Sequence, residues 1–116
     1  MVSITKLGGQ DFFKISFVGQ FNNEQVNNIL NSLKAHGIEN REKISMVWDC
    51  QQMSGYDNNA RDQWQNFFEG IKSKIGVVHL VSDNIAYRAA GRAFGIYWRV
   101  KISVWEDYSQ LEEGLS

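Results

Sequence analysis

The stretch Tyr56-Asp57-Asn58-Asn59-Ala60-Arg61-Asp62 is the first place in this chain to look for chemistry. Asp57 or Asn58 suits a helix N-cap, and the open amides of a helix N-terminus hold anions. An aspartate cap works against that use: it satisfies the amides itself, complements the helix dipole and repels an anion. Arg61 falls in the first turn, where its planar fork suits a carboxylate or phosphate. It is equally placed to pair with Asp57 four residues earlier, an exposed contact worth only about 0.3–0.5 kcal/mol. Tyr56, Asp57, Asn58, Asn59, Arg61 and Asp62 are therefore the expected binding edge. Arg88 and Arg92 form a second candidate. They share a helix face at i, i+4, with Tyr87 and Tyr97 nearby, and suit an anion or a partner protein. A solvated charged face is the plainer reading of the same spacing.

Other chemistries lack their residues. The single cysteine, Cys50, leaves no disulfide within the chain. His36 and His79 are far apart, and neither has a second His or Cys at metal spacing, so no metal site is expected. His79 reads as a satisfied strand residue. There is no Walker loop and no GxGxxG. No nucleophile has a base beside it, and no acid–base pair is poised, so no enzyme, no catalytic residue and no cofactor are expected. Twelve basic and 13 acidic residues give a net charge of −1, without the basic footprint of nucleic-acid binding. No apolar run reaches the length of a membrane span, and residues 1–6 lack a signal peptide's apolar stretch. With the lone cysteine, this points to a cytoplasmic protein.

The elements that must position these residues follow from periodicity. Residues 3–7 form a short strand, Gly8-Gly9-Gln10-Asp11 a turn, and 12–18 a second strand alternating Phe13, Ile15 and Phe17 against Phe12, Lys14 and Ser16. Asn22 or Asn23 caps a helix with Val26, Ile29, Leu30 and Leu33 on one stripe, ended at Gly37. Residues 44–49 are a strand and 51–56 a loop. Asp57 or Asn58 opens a helix with the stripe Trp64, Phe67, Phe68 and Ile71. Residues 75–81 form a strand buried on both faces. Ser82 or Asp83 caps a helix to about Gly95, rich in small residues that allow close packing or leave room for a ligand. Residues 99–105 are the last strand, and Asp107 caps a final helix. Trp48 and Trp64 read as core, whereas Tyr97 and Trp98 read as part exposed, at a pocket mouth or a homodimer surface. No proline, linker or repeat divides the chain, so residues 1–116 form a single α/β domain, β-β-α-β-α-β-α-β-α. Its mixed sheet is covered by helices.

Val47-Trp48-Asp49 ends a strand, Cys50 to Tyr56 follow, and Asp57-Asn58-Asn59 opens a helix. This pattern resembles STAS-like domains, the family of bacterial anti-sigma factor antagonists and of sulfate-transporter tails. In those proteins a strand ending in Asp leads to Asp-Ser-Ser or Asp-Ser-Gly at a helix start. The resemblance implies the same fold. In the sigma-regulating members the serine at the place of Asn58 is phosphorylated, and an amide offers no hydroxyl for that step. The run Gly55-Tyr56-Asp57 with Ala60-Arg61 and Trp64 is similar to an uncharacterised bacterial branch of the superfamily, often grouped with lipid-binding CRAL-TRIO-like domains. Two functions from different classes follow. The first is a regulatory protein-interaction module without the phosphoacceptor serine, docking a protein partner along residues 54–62. The second is a carrier of a small hydrophobic or lipid-like ligand, which requires a persistent internal pocket.

Overall fold

The computed structural model describes all 116 residues. The elements are β1 (Val2–Leu7), β2 (Gln10–Phe21), α1 (Asn23–Ala35), β3 (Ile44–Tyr56), α2 (Asn58–Ile71), β4 (Ile75–Val81), α3 (Ile85–Trp98), β5 (Ile102–Trp105) and α4 (Tyr108–Leu115). This is the expected order. β1 and β2 turn through Gly8-Gly9, both with left-handed backbones (φ 56° and 78°), which gives a two-residue loop matched to strand twist.

The strands lie in chain order, β1-β2-β3-β4-β5. β1 and β2 are antiparallel, and every later pair is parallel. Each parallel step needs a crossover, and crossovers of one hand in an unreversed order bring α1, α2 and α3 to the same face. There Phe13, Ile15 and Phe17, Met46 and Trp48, and Val78 and Leu80 meet Val26, Ile29 and Leu33 of α1 and Trp64 and Phe68 of α2. The period of two in a strand sends Phe12, Val47 and Val81 to the other face, where Leu111 of α4 covers them.

The expected loop at Gln51–Tyr56 is instead the far half of β3. It pairs with the end of β2, Gln52 beside Val18 and Tyr56 beside Phe21, through two register irregularities. The β3–β4 ladder stops at Asp49–Val81. The ends of β2 and β3 therefore run past the sheet as a two-stranded arm. The polar run Gln51-Gln52-Met53-Ser54 carries little apolar alternation, so only the neighbouring strand makes it extended.

The third helix differs at both ends. Asn84, not Ser82 or Asp83, caps α3, accepting from Ala86 N at 2.8 Å and Tyr87 N at 3.3 Å. Ser82 Oγ accepts from Asn84 N instead. The helix passes Gly95, which packs on Val100 and Ile102, and ends where Arg99 turns left-handed. β5 consequently starts at Ile102. One more turn of helix also carries Trp98 into the core, 6% exposed, where its Nε1 donates to Glu69 Oε2 at 2.8 Å. It is not the half-exposed ring expected, and Tyr97 alone stays outside.

On the α4 face, Trp105 Nε1 donates to His79 Nδ1 at 3.0 Å, and the Phe12 ring stands edge-on to the imidazole. Burial, with the Lys101 charge behind it, pushes His79 below its usual value. The folded state therefore holds His79 neutral while the unfolded chain protonates it from about pH 6.5 downward. Stability is complete above that pH and falls as pH drops through it. The urea midpoint should decline from pH 7.5 to 5.5, and His79→Phe should flatten that decline; an unchanged slope in the variant would refute it. Phe68 is fully buried between Trp48 and Trp98. Phe68→Ala should lower unfolding free energy by about 3–5 kcal/mol, and a loss below 1 kcal/mol would exclude a core role.

Candidate functional site

An apolar cleft of about 90 Å³ lies where the arm leaves the sheet. Phe17, Trp48, Cys50 and Leu80 of the strands floor it, and Phe21, Met53 and Tyr56 of the arm form one wall. Arg61 and Trp64 of α2 form a second wall, and Tyr87, Ala90, Gly91 and Phe94 of α3 the third. Eleven of these 13 residues are hydrophobic, so the interior favours an apolar guest over water. The cleft opens to solvent beside the carboxyl ends of β3 and β4, where parallel sheets bind ligands.

Trp64 organises the rings. Its indole stands edge-to-face against Phe17, Phe21 and Trp48, with centroids 5.9, 6.5 and 5.7 Å away, and stacks on Phe67. Such geometry sets the positive edge of one ring on the negative face of the next. The cleft walls are thereby held without a covalent tie. α3 closes the cleft because Gly91 lets it come close: a Cβ there would sit 2.9 Å from Leu80 Cδ1 and 3.7 Å from Val104 Cγ1. The small residues of α3 thus serve three surroundings. Gly91 and Gly95 touch the sheet side, Ala90 and Gly91 line the cleft, while Ala86, Ala89 and Ala93 face solvent.

Two polar groups in the walls stand out. Trp48 Nε1 and Arg61 Nε are enclosed and have no hydrogen-bond partner. Both are donors. Arg61 otherwise makes one loose contact, Nη2 to Asp62 Oδ1 at 3.4 Å, and not the expected bond to Asp57. Asp57 occupies the N-cap position of α2 but forms no side-chain capping bond; its Oδ1 accepts instead from Gln20 Nε2 at 2.9 Å. That bond ties α2 to the arm.

Cys50 is the only titratable thiol in the cleft. Burial, with the Asp49 charge, pushes it up to about 12, so it stays a protonated, poorly nucleophilic thiol at neutral pH. No group of three His, Cys, Asp or Glu side chains converges on a metal-sized site. No helix is long and apolar enough to cross a membrane.

Of the residues singled out from the sequence, Tyr56 and Arg61 line the cleft. Asp57, Asn58, Asn59 and Asp62 are exposed beside it on the first turn of α2. Arg88 is not free: its Nη1 donates to Ser82 O at 2.8 Å and fastens α3 to the end of β4. Arg92 lies exposed on the outer side of α3. Those two arginines are therefore separated in role. Sequence reasoning missed Phe21, Met53, Tyr87 and Phe94 as cleft residues. The run of small residues around Ala90-Gly91 was the one available signal for them.

No family model matches the chain, and no curated protein matches it in sequence. Solved structures do match in shape. An uncharacterised protein of the DUF3478 family with a SpoIIAA-like fold, from Shewanella loihica PV-4, superposes with a TM-score of 0.86 at 13% identity. The match covers 100% of this chain and 93% of that one. The unphosphorylated anti-sigma factor antagonist SpoIIAA superposes with a TM-score of 0.65 at 9% identity, over 98% of this chain and 96% of that one. The chain has the SpoIIAA-like fold of STAS-like domains.

The close seat of α3 makes a direct forecast. Gly91→Val should destabilise the protein by about 1–3 kcal/mol through overpacking against Leu80, while Ala89→Val on the exposed side should cost no more than about 0.5 kcal/mol. Equal losses from the two would show that α3 is not held at the sheet through Gly91.

Proposed function

We propose that this domain is a non-catalytic binding module whose cleft takes a small hydrophobic ligand. The observation that carries this reading is the lined, open, apolar cleft at the carboxyl ends of the parallel strands. A protein core closes such space where it can, since unfilled volume costs stability. Here the aromatic cluster around Trp64 holds it open. Ligand capture would bury apolar surface already organised into walls, with little reordering needed before binding.

A regulatory protein-interaction module is the second reading. Two observations favour it. The outer face of α3 exposes Ile85, Ile96 and Tyr97, each more than 70% accessible, with Arg92 exposed on the same helix. The likeness to an anti-sigma factor antagonist adds a precedent at the level of fold. The edge from Ser54 to Asp62 would serve as docking surface with Asn58 in place of a hydroxyl, so contact would not be switched by phosphate at position 58. Both readings are compatible with one another: a ligand beneath α3 and a partner above it would share that helix.

The cleft reading is tested by native mass spectrometry of the purified chain, then organic extraction. A bound mass at near-stoichiometric yield is expected, released by solvent, and absent from Ala90→Phe, whose ring fills the cleft. A wild-type protein that is clean, and that takes up no small apolar compound on titration, would sink the ligand reading and leave the protein-interaction reading in front.

A further inference from the structure

The cleft is asymmetric in its hydrogen bonding. Its walls contain two enclosed donors without acceptors, the Trp48 indole N–H and the Arg61 Nε–H. Trp48 is 3% exposed, so its donor has lost water without gaining a partner, a costly state in an apolar surround. The one other enclosed side-chain atom left unpaired in the protein, Gln25 Oε1, is outside the cleft. A guest that completes these walls must therefore bring acceptors and need not bring donors. Arg61 brings a full positive charge to the rim of the cleft, its side chain 39% exposed but its Nε enclosed, and its single loose contact to Asp62 leaves that Nε available. A planar guanidinium matches a planar carboxylate in shape as well as charge.

Volume restricts the rest of the molecule. About 90 Å³ accommodates roughly half a dozen solvent-sized groups. The enclosed part of the cleft thus takes a body about the size of one ring or a short branched chain. The rings of Phe17, Phe21, Trp48 and Trp64 offer edges and faces to such a body.

We infer that the cleft, on the ligand-binding reading above, selects small monocarboxylic acids with a compact apolar body, Arg61 holding the acid group. Arg61 is then the specificity-determining residue, and the aromatic walls supply affinity without discrimination between acid and neutral analogue. A hydrophobic body of equal shape but no charge enters the same space and leaves Arg61 unpaired.

The test uses a matched pair of probes, 3-phenylpropanoate and 3-phenylpropanamide, titrated against the whole protein with Trp fluorescence as the readout. The acid should bind at least about tenfold more tightly than the amide. Arg61→Met should bring the acid down to the affinity of the amide and leave the amide itself unchanged, which also shows that the variant is folded. Arg61→Lys, which keeps charge but not the fork, should fall between. Equal affinities for acid and amide in the wild type, unaltered by Arg61→Met, would overturn acid selection and leave the apolar cleft standing. Binding of neither probe at millimolar concentration would overturn both.

Discussion

Strand order is the constraint on which the rest of this protein depends. With β2, β3, β4 and β5 side by side and parallel, each crossover helix must return over the sheet in the same sense. Three helices consequently share one face, and the other face is left to the short α4. The last of the three, α3, arrives over β4 and β5 and has to lie close to them. Gly91 and Gly95 supply that closeness, one turn apart. Nothing in the crossover geometry covers the arm formed by the ends of β2 and β3, and the space between arm, α2 and α3 is the cleft.

The same aromatic residues stabilise the fold and form the site. Trp48 and Trp64 belong to the main core, yet both also line the cleft. Their edge-to-face contacts fix ring orientation more firmly than aliphatic packing would. A cleft walled this way stays open without a bound group, since closing it would require several rings to reorient together. Polar ties back up the arrangement: Gln20 to Asp57 between arm and α2, Arg88 to Ser82 between α3 and β4, and Trp98 to Glu69 between α3 and α2. Glu69 is itself held below the usual carboxylate range by its hydrogen bond to Lys72. These contacts surround the cleft without entering it, which leaves Arg61 as its charged member.

The two faces of the sheet carry different kinds of interior. The helix-covered face is almost wholly apolar. The α4 face mixes Phe12 and Val47 with the His79–Trp105 hydrogen bond and the Lys14 ammonium over the Tyr108 ring. A titratable group is thus placed in the smaller core and away from the cleft. Protonation of His79 on acidification therefore disturbs the seat of α4 and not the cleft.

Periodicity alone determined the number, type and order of the elements, because amphipathic stripes and β-branched runs are local signals with a local cause. Val26, Ile29 and Leu33 at helical spacing are buried together for that reason, and the Asp49-to-Asp57 pattern was enough to point to a STAS-like fold. The sequence also singled out Tyr56 and Arg61, on charge and position, and the fold places both at the cleft. It could not extend β3 through Gln51–Tyr56, since that strand exists only through its partner β2, a non-local pairing. Nor could it join Phe21, Met53, Tyr87 and Phe94, which are scattered over the chain and meet only when the crossovers stack. Tertiary structure alone decided that Arg88 is a structural clamp while Arg61 keeps an unpaired donor. The physical reason is that a hydrogen bond depends on distance in space, and chain spacing sets that distance only within a turn or two of helix.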